Sequence, residues 1–348
     1  KLEFKSFLKR YENVETEASI ELDISVIDRQ EAWESLHTEL IASKEFGISI
    51  CMEETAIKSY HVNSLYAISI TLGNKSYIIK DMENISDILE EIIRLDAGKY
   101  ILSLKPLIKL VKDMKAAKNF YDISVAAYLI NPLKDSYFVE DIARDYMESA
   151  CSSKSEMIGK AKLNEVLRFN DEKAINYFAT ESYVALHSEE NILAKLKDLE
   201  LTELYENVEM PLIYSLAKME NTGVRVDEER LKKYADTLLE KIAKLEESIT
   251  KKAGESFNIN SPKQLGEILF EKLKLSGGKK TKTGYSTAAD VLEKLAPEHE
   301  IIRDILEYRQ LTKLNSTYAT GLAGYIREDG RIHGTFNQTI TATGRISS

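Results

Sequence analysis

Leu65-Tyr66-Ala67-Ile68-Ser69-Ile70-Thr71-Leu72-Gly73-Asn74-Lys75-Ser76-Tyr77-Ile78-Ile79-Lys80 decides the fold of the first part of this 348-residue chain. Two β-rich runs, 65–72 and 76–80, flank Gly73-Asn74-Lys75, which reads as a hairpin turn. Ile24 to Ile27 is a further short β-rich run, and Gly47 to Met52 reads as a buried strand. Between them Arg29 to Ser43 is helical, with Trp33, Leu36, Leu40 and Ile41 on one face. After the hairpin, Ile85 to Leu95 is an amphipathic helix. Tyr100 to Leu104 is a strand stopped by Pro106, and Leu107 to Lys118 is a helix. Such alternation predicts an α/β domain with helices packed on a mixed sheet. Residues 139–199 read as mostly helical.

The pattern changes after about Tyr205. Asp227 is placed to cap a long helix whose apolar stripe is Leu231, Tyr234, Leu238, Ile242, Leu245 and Ile249, with Gly254 as its stop. Ser261-Pro262-Lys263-Gln264 combines an N-cap Ser, a Pro at the first helical position and a Gln able to close a capping box. Residues 277–284, Gly-Gly-Lys-Lys-Thr-Lys-Thr-Gly, predict an exposed, basic, flexible loop. A helix through Val291-Leu292 and a longer one from about Glu300 to Tyr325 follow, and then a strand at 331–336.

Composition narrows the function. Hydrophobic residues make up 43% and charged residues 30%, with 5 Pro and 15 Gly, which excludes a disordered or collagen-like chain. No apolar run approaches the roughly 20 residues of a membrane helix. Lys1 to Lys5 form no signal peptide, and Cys51 and Cys151 belong to no CxxC or zinc pattern, so a reducing cytoplasm is expected. The net charge is −10. Residues 201–348 carry 22 basic and 22 acidic side chains, so the whole excess of acid lies in residues 1–200. That asymmetry predicts two parts with different roles. His37, His61, His187, His299 and His333 have no metal-ligand spacing. Gly277-Gly278-Lys279 is not a phosphate loop, and no nucleophile-elbow pattern occurs.

Several stretches come in the order and spacing of one family. These are Glu209-Met210-Pro211-Leu212, Met219 to Val224 (Met-Glu-Asn-Thr-Gly-Val), Phe257 to Leu265, Ile305-Leu306-Glu307-Tyr308-Arg309 with Lys313 to Tyr318, and Thr341-Ala342-Thr343-Gly344-Arg345-Ile346-Ser347-Ser348. Together they resemble the family A DNA polymerases of the bacterial polymerase I type, most strongly over residues 205–348. The resemblance implies an α/β ribonuclease H-like domain of the 3′–5′ exonuclease type at 1–204. It further implies a mainly α-helical thumb with the first strands of the palm at 205–348. The family's 5′-nuclease domain would precede residue 1, and its palm carboxylates and fingers would follow Ser348. The part at hand is therefore expected to bind primer–template DNA without incorporating nucleotides by itself. Magnesium and deoxynucleotides are expected only for the complete enzyme, which would act in DNA replication and repair. A cytoplasmic, nucleoid-associated monomer is the implied setting.

The same resemblance assigns site residues. In the first exonuclease motif, Met52 stands where the family has Asp, and Glu54 keeps the Glu. In the second, Leu107 replaces Asp. In the third, Tyr177 is kept and Glu181 stands in for Asp. Magnesium wants oxygen ligands, so Met52 and Leu107 imply an inactive nuclease and no bound metal. Should the motifs be aligned differently, Asp122 is the first other Asp to consider, but its place in the motif order suggests a helix-cap or surface role. For DNA, the resemblance places Arg309 and Lys313 along the minor groove, with Asn315, Ser316 and Thr317 able to donate to phosphates. Lys279, Lys280 and Lys282 would lie at the thumb tip. Arg345, shaped by Thr341, Thr343 and Gly344, would reach minor-groove acceptors that every base pair presents. A stand-alone duplex-binding module and an active 3′–5′ exonuclease are the alternative expectations.

Overall fold

The computed structural model describes residues 20–53, 64–111, 113, 117–280 and 284–348, with backbone alone at 18–19, 54–57, 60–63 and 281. The chain divides into two compact units. One comprises residues up to 222, except 58–60, together with 334–348; the other is built from 223–333.

The first unit is organised by a six-stranded sheet. Its strands are β1 (Asp23–Ile27), β2 (Glu45–Ile57), β3 (Tyr60–Leu72), β4 (Lys75–Lys80), β5 (Gly98–Ile101) and β6 (Phe120–Asp122), in the order β1-β4-β3-β2-β5-β6. The hairpin forms where the sequence places it: β3 and β4 pair antiparallel, Leu72 opposite Lys75 and Ile68 opposite Ile79, with Gly73 at φ +57° in the turn. β1 joins β4 in parallel, and β5 joins both β2 and β6 in parallel. Ala67, Ile68, Ser69, Ile70 and Thr71 are all fully buried, so β3 is covered on both faces.

Helix α1 (Gln30–Ala42) contributes Trp33, Leu36 and Leu40 to the core, and α2 (Ile85–Arg94) contributes Ile88, Leu89, Ile92 and Ile93. Each fully buried Leu or Ile of this kind stabilises the fold by about 1.5–3 kcal/mol. Helix α3 (Lys105–Leu110) is shorter than the expected 107–118 and begins earlier. Pro106 sits in its first turn, where the missing N–H costs nothing, and Val111 turns extended. β6 is too short to show an alternating pattern in sequence. It leads into α4 (Ile123–Ile130), capped by Asp122. Helix α5 (Glu172–His187) lies over β2, and Gly47 permits the approach: a Cβ there would fall 2.0 Å from the Ser182 carbonyl oxygen.

Residues 205–222, read with the second part from sequence, pack in the first unit. Tyr205 and, in α6 (Met210–Thr222), Met210, Ile213 and Ala217 join the core of that unit.

The second unit is helical. Asp227 caps α7 (Glu228–Ala253) by accepting from the Arg230 N–H, and Gly254 ends it at φ +76°. Its buried face is Ala235, Leu238, Ile242, Ile249 and Ala253, whereas Tyr234 is exposed. Ser261 caps α8 (Pro262–Gly266), but Gln264 closes no capping box: its Oε1 accepts from the Asn258 N–H instead. Helices α9 (Ala289–Leu295) and α10 (Glu300–Lys313) complete the core. α7 and α10 are pinned through Asp304, which accepts from Ser248 and Lys252, each at 2.7 Å. The expected strand 331–336 pairs only at Arg331–Ile332, antiparallel to Val224–Arg225. Among the described residues no helix is long and apolar enough to cross a membrane.

Candidate nucleic-acid interface

In the first unit, the close approach of α5 to β2 lets Ser49 donate to the Glu181 carboxylate at 2.7 Å. Tyr177, one turn before on α5, also binds it. Burial pushes the Glu181 carboxyl above its ordinary range, against the opposing pull of Ser49 and Tyr177. Side chains alternate along a strand, so Cys51 and Glu53 share the face of Ser49 and Met52 lies on the other. The structure therefore brings Ser49 and Cys51, and not Met52, beside Glu181. Burial, and next the Glu181 charge, push the Cys51 thiol up to about 12, so it stays protonated. Glu53 is ion-paired with Arg168, whose guanidinium also lies over the Tyr66 ring at 5.5 Å. The side chain of Glu54 lies outside the described residues.

Leu107 is fully buried in the hydrophobic core. Asp122 is 3% exposed and caps α4, accepting from the N–H groups of Leu104 at 2.8 Å and Val125 at 2.9 Å. It is a cap and not a surface group, and burial pushes its carboxyl up to about 6. Among the described side chains, a protonated thiol, a core leucine, an ion-paired Glu53 and a Glu181 held by hydroxyls do not make the set of hard anionic donors that a magnesium pair needs. Among the described residues no three His, Cys, Asp or Glu side chains cluster as a metal site.

The candidate DNA contacts occupy two places. On α10, Arg309 is half-buried and spent on a structural bond. One terminal nitrogen donates to the Thr287 carbonyl at 2.7 Å, the other to its hydroxyl at 3.4 Å, and burial lowers its pKa. Arg309 and Lys313 therefore do not form the matched pair of free cations that their four-residue spacing suggested. Lys313, Ser316 and Thr317 are exposed, and Asn315 accepts from Thr320 at 3.2 Å. The helix opens into a wide π-type turn at Leu314–Ala319. Glycine is required five residues on, since a Cβ at Gly321 would lie 2.5 Å from the Ser316 carbonyl oxygen. Within the basic stretch, Lys280–Thr281 pairs antiparallel with Gly284–Tyr285, and the Lys280 ammonium lies 5.5 Å from the Tyr285 ring centre. Lys279 and Lys280 are exposed, and Lys282 lies outside the described residues.

The second place is the segment 334–348. Asn337 and Ser347 exchange backbone hydrogen bonds of 2.7 and 3.0 Å, closing a loop. Inside it, the Thr341 hydroxyl donates to the Arg345 carbonyl at 2.7 Å, and Gly344 takes φ +75°. The turn leaves Thr343 and Arg345 exposed.

Residues 228–348 match the model of DNA polymerase family A. DNA polymerase I of Bacillus subtilis is 41% identical over 298 residues, 83% of this chain and 33% of that protein. DNA polymerase I of Caldicellulosiruptor bescii is 39% identical over 355 residues, all of this chain and 38% of that protein. The chain thus spans about a third of the length of these curated relatives. Among solved structures, the POL domain of Pol1 from M. smegmatis, in complex with DNA primer-template and dNTP, is similar with a TM-score of 0.71 and 26% identity, covering 93% of this chain and 54% of that one.

Proposed function

This chain belongs to DNA polymerase family A, and from that premise we propose that it is the DNA-gripping part of a polymerase I-type enzyme. The complete protein would extend a primer on a template in replication and repair, using magnesium held by palm carboxylates. The first unit is then a ribonuclease H-like, exonuclease-type fold without nuclease activity, and α7 to α10 form the thumb. Supporting this is one observation above the rest: the loop closed by Asn337 and Ser347 holds Arg345 exposed, within the region that matches the family.

Duplex grip follows from charge and shape. Lys313, Lys279 and Lys280 face solvent and release counterions from phosphates without reading sequence. Ser316 and Thr317 donate hydroxyls to phosphate oxygens beside them. Arg345 reaches minor-groove acceptors common to all base pairs, which suits an enzyme that must hold any sequence. Arg309 braces the Thr287 segment against α10 and contributes to binding through that brace. The alternative of an active 3′–5′ exonuclease is disfavoured by Cys51, Leu107 and the Arg168–Glu53 pair.

Fluorescence anisotropy with a labelled primer–template over a range of salt tests the reading. Lys313→Ala should weaken binding equally for unrelated sequences and reduce the salt slope by about 1. Unchanged affinity and slope in both Lys313→Ala and Arg345→Ala would overturn it.

A further inference from the structure

The helix that carries Leu107 also holds the DNA-facing segment, through one carboxylate. Glu220, near the end of α6, has a side chain only 1% exposed. Its Oε1 accepts from the Lys105 ammonium at 2.7 Å and from the Phe336 N–H at 2.8 Å. Its Oε2 accepts from Lys109 at 2.9 Å. Lys105 also donates to the Phe336 carbonyl, so both backbone groups of Phe336 are fixed. Asn337, the next residue, starts the closed loop. Two further bonds steady that loop: Gln338 donates to Glu209, and the Tyr128 hydroxyl donates to the Thr341 carbonyl at 2.7 Å.

We propose that Glu220 is a positioning residue, which fixes Phe336 and thereby sets the 337–347 loop so that Arg345 meets duplex DNA. The proposal rests on the DNA-binding reading above and deepens it. A buried ion network is weak evidence for stability, since apolar residues of the same volume often serve as well. What this network supplies is geometry: three donors from two elements converge on two oxygens and leave Phe336 one arrangement. On this account the second-motif helix of the first unit keeps a use after Leu107 has removed its carboxylate.

The test uses the whole chain with Glu220→Gln, Arg345→Ala and the double variant. Two readouts are needed: backbone amide exchange, and affinity for a primer–template duplex. Glu220→Gln should speed exchange at Phe336, Asn337 and Ser347 while leaving Ile68 and Ile78 of the sheet protected. It should weaken duplex binding about fivefold, and by less than about twofold when Arg345 is already Ala, because the two residues act in series. Unchanged exchange over 336–347, or an affinity loss of equal size in both backgrounds, overturns the proposal. An Arg345→Ala protein that binds as well as its parent overturns the DNA reading itself, and exchange then still decides whether Glu220 holds the loop. If Glu220→Gln does not fold, Tyr128→Phe, which removes an independent anchor of the same loop, should give the same exchange and coupling pattern, and its failure to do so counts against the proposal.

Discussion

Glu181 and Glu220 are two carboxylates of the first unit with opposite surroundings. Glu181 is met by the neutral hydroxyls of Ser49 and Tyr177, and burial pushes its pKa up. For Glu220 burial acts the same way, but Lys105, the Phe336 N–H and Lys109 outweigh it and hold the carboxyl below its usual range. On the proposed reading the first region is the place of a metal site without its donors. The second has no metal role and binds cations of its own chain. Of the two, the carboxylate that joins elements is the one whose charge is matched by cations.

The comparison breaks most visibly at Leu107. Leu107→Asp puts an unpaired carboxylate into the core and should cost about 3–5 kcal/mol in denaturant melts. Introducing a carboxylate at this position is therefore expected to unfold the chain before it binds metal. A stable Leu107→Asp protein that takes up manganese in calorimetry would reverse that conclusion. Next in size is Glu220→Ala, which strands two lysines and should lower stability by about 3 kcal/mol at neutral pH. Its folded pKa lies below the unfolded value, so Glu220 stabilises above the unfolded pKa. That stability is lost as pH falls through the folded pKa, and the cost of the substitution should fade in acid melts.

Glu181 sharpens the contrast by its sign. Its folded pKa lies above the unfolded value, so its stability is fully present below the unfolded pKa and is lost as pH rises through the folded one. Glu181→Gln, neutral at every pH, should flatten that dependence and gain on the parent as pH rises. An identical pH profile in parent and variant would contradict the assigned surroundings. Smallest of all, Arg168→Ala removes a half-exposed ion pair with Glu53 and should leave the midpoint of a denaturant melt almost unchanged.

Much of this architecture was legible in the sequence. The hairpin at 65–80 and the caps Asp227, Ser261 and Gly254 lie where local chemistry put them, because turns and helix ends are set by neighbouring residues. Strand parity near residue 51 was not legible, since it depends on which face of β2 meets α5, and that is fixed by Gly47 and Ser182 far apart in the chain. The Arg309–Thr287 bond was hidden for the same reason: helical spacing gives the direction of a side chain but not the loop waiting there. The network at Glu220 joins residues 105, 109, 220 and 336, too far apart for any motif, although Met219-Glu220 stood within a stretch that carried the family resemblance.

The central claim is that the first unit supports DNA binding and does not cut DNA. The most direct measurement follows the length of a 5′-labelled primer, annealed to its template and incubated with the chain and magnesium or manganese, on a denaturing gel. The account predicts a primer of unchanged length at protein concentrations that saturate the duplex. Metal-dependent shortening from the 3′ end, abolished by Glu181→Gln, would contradict it.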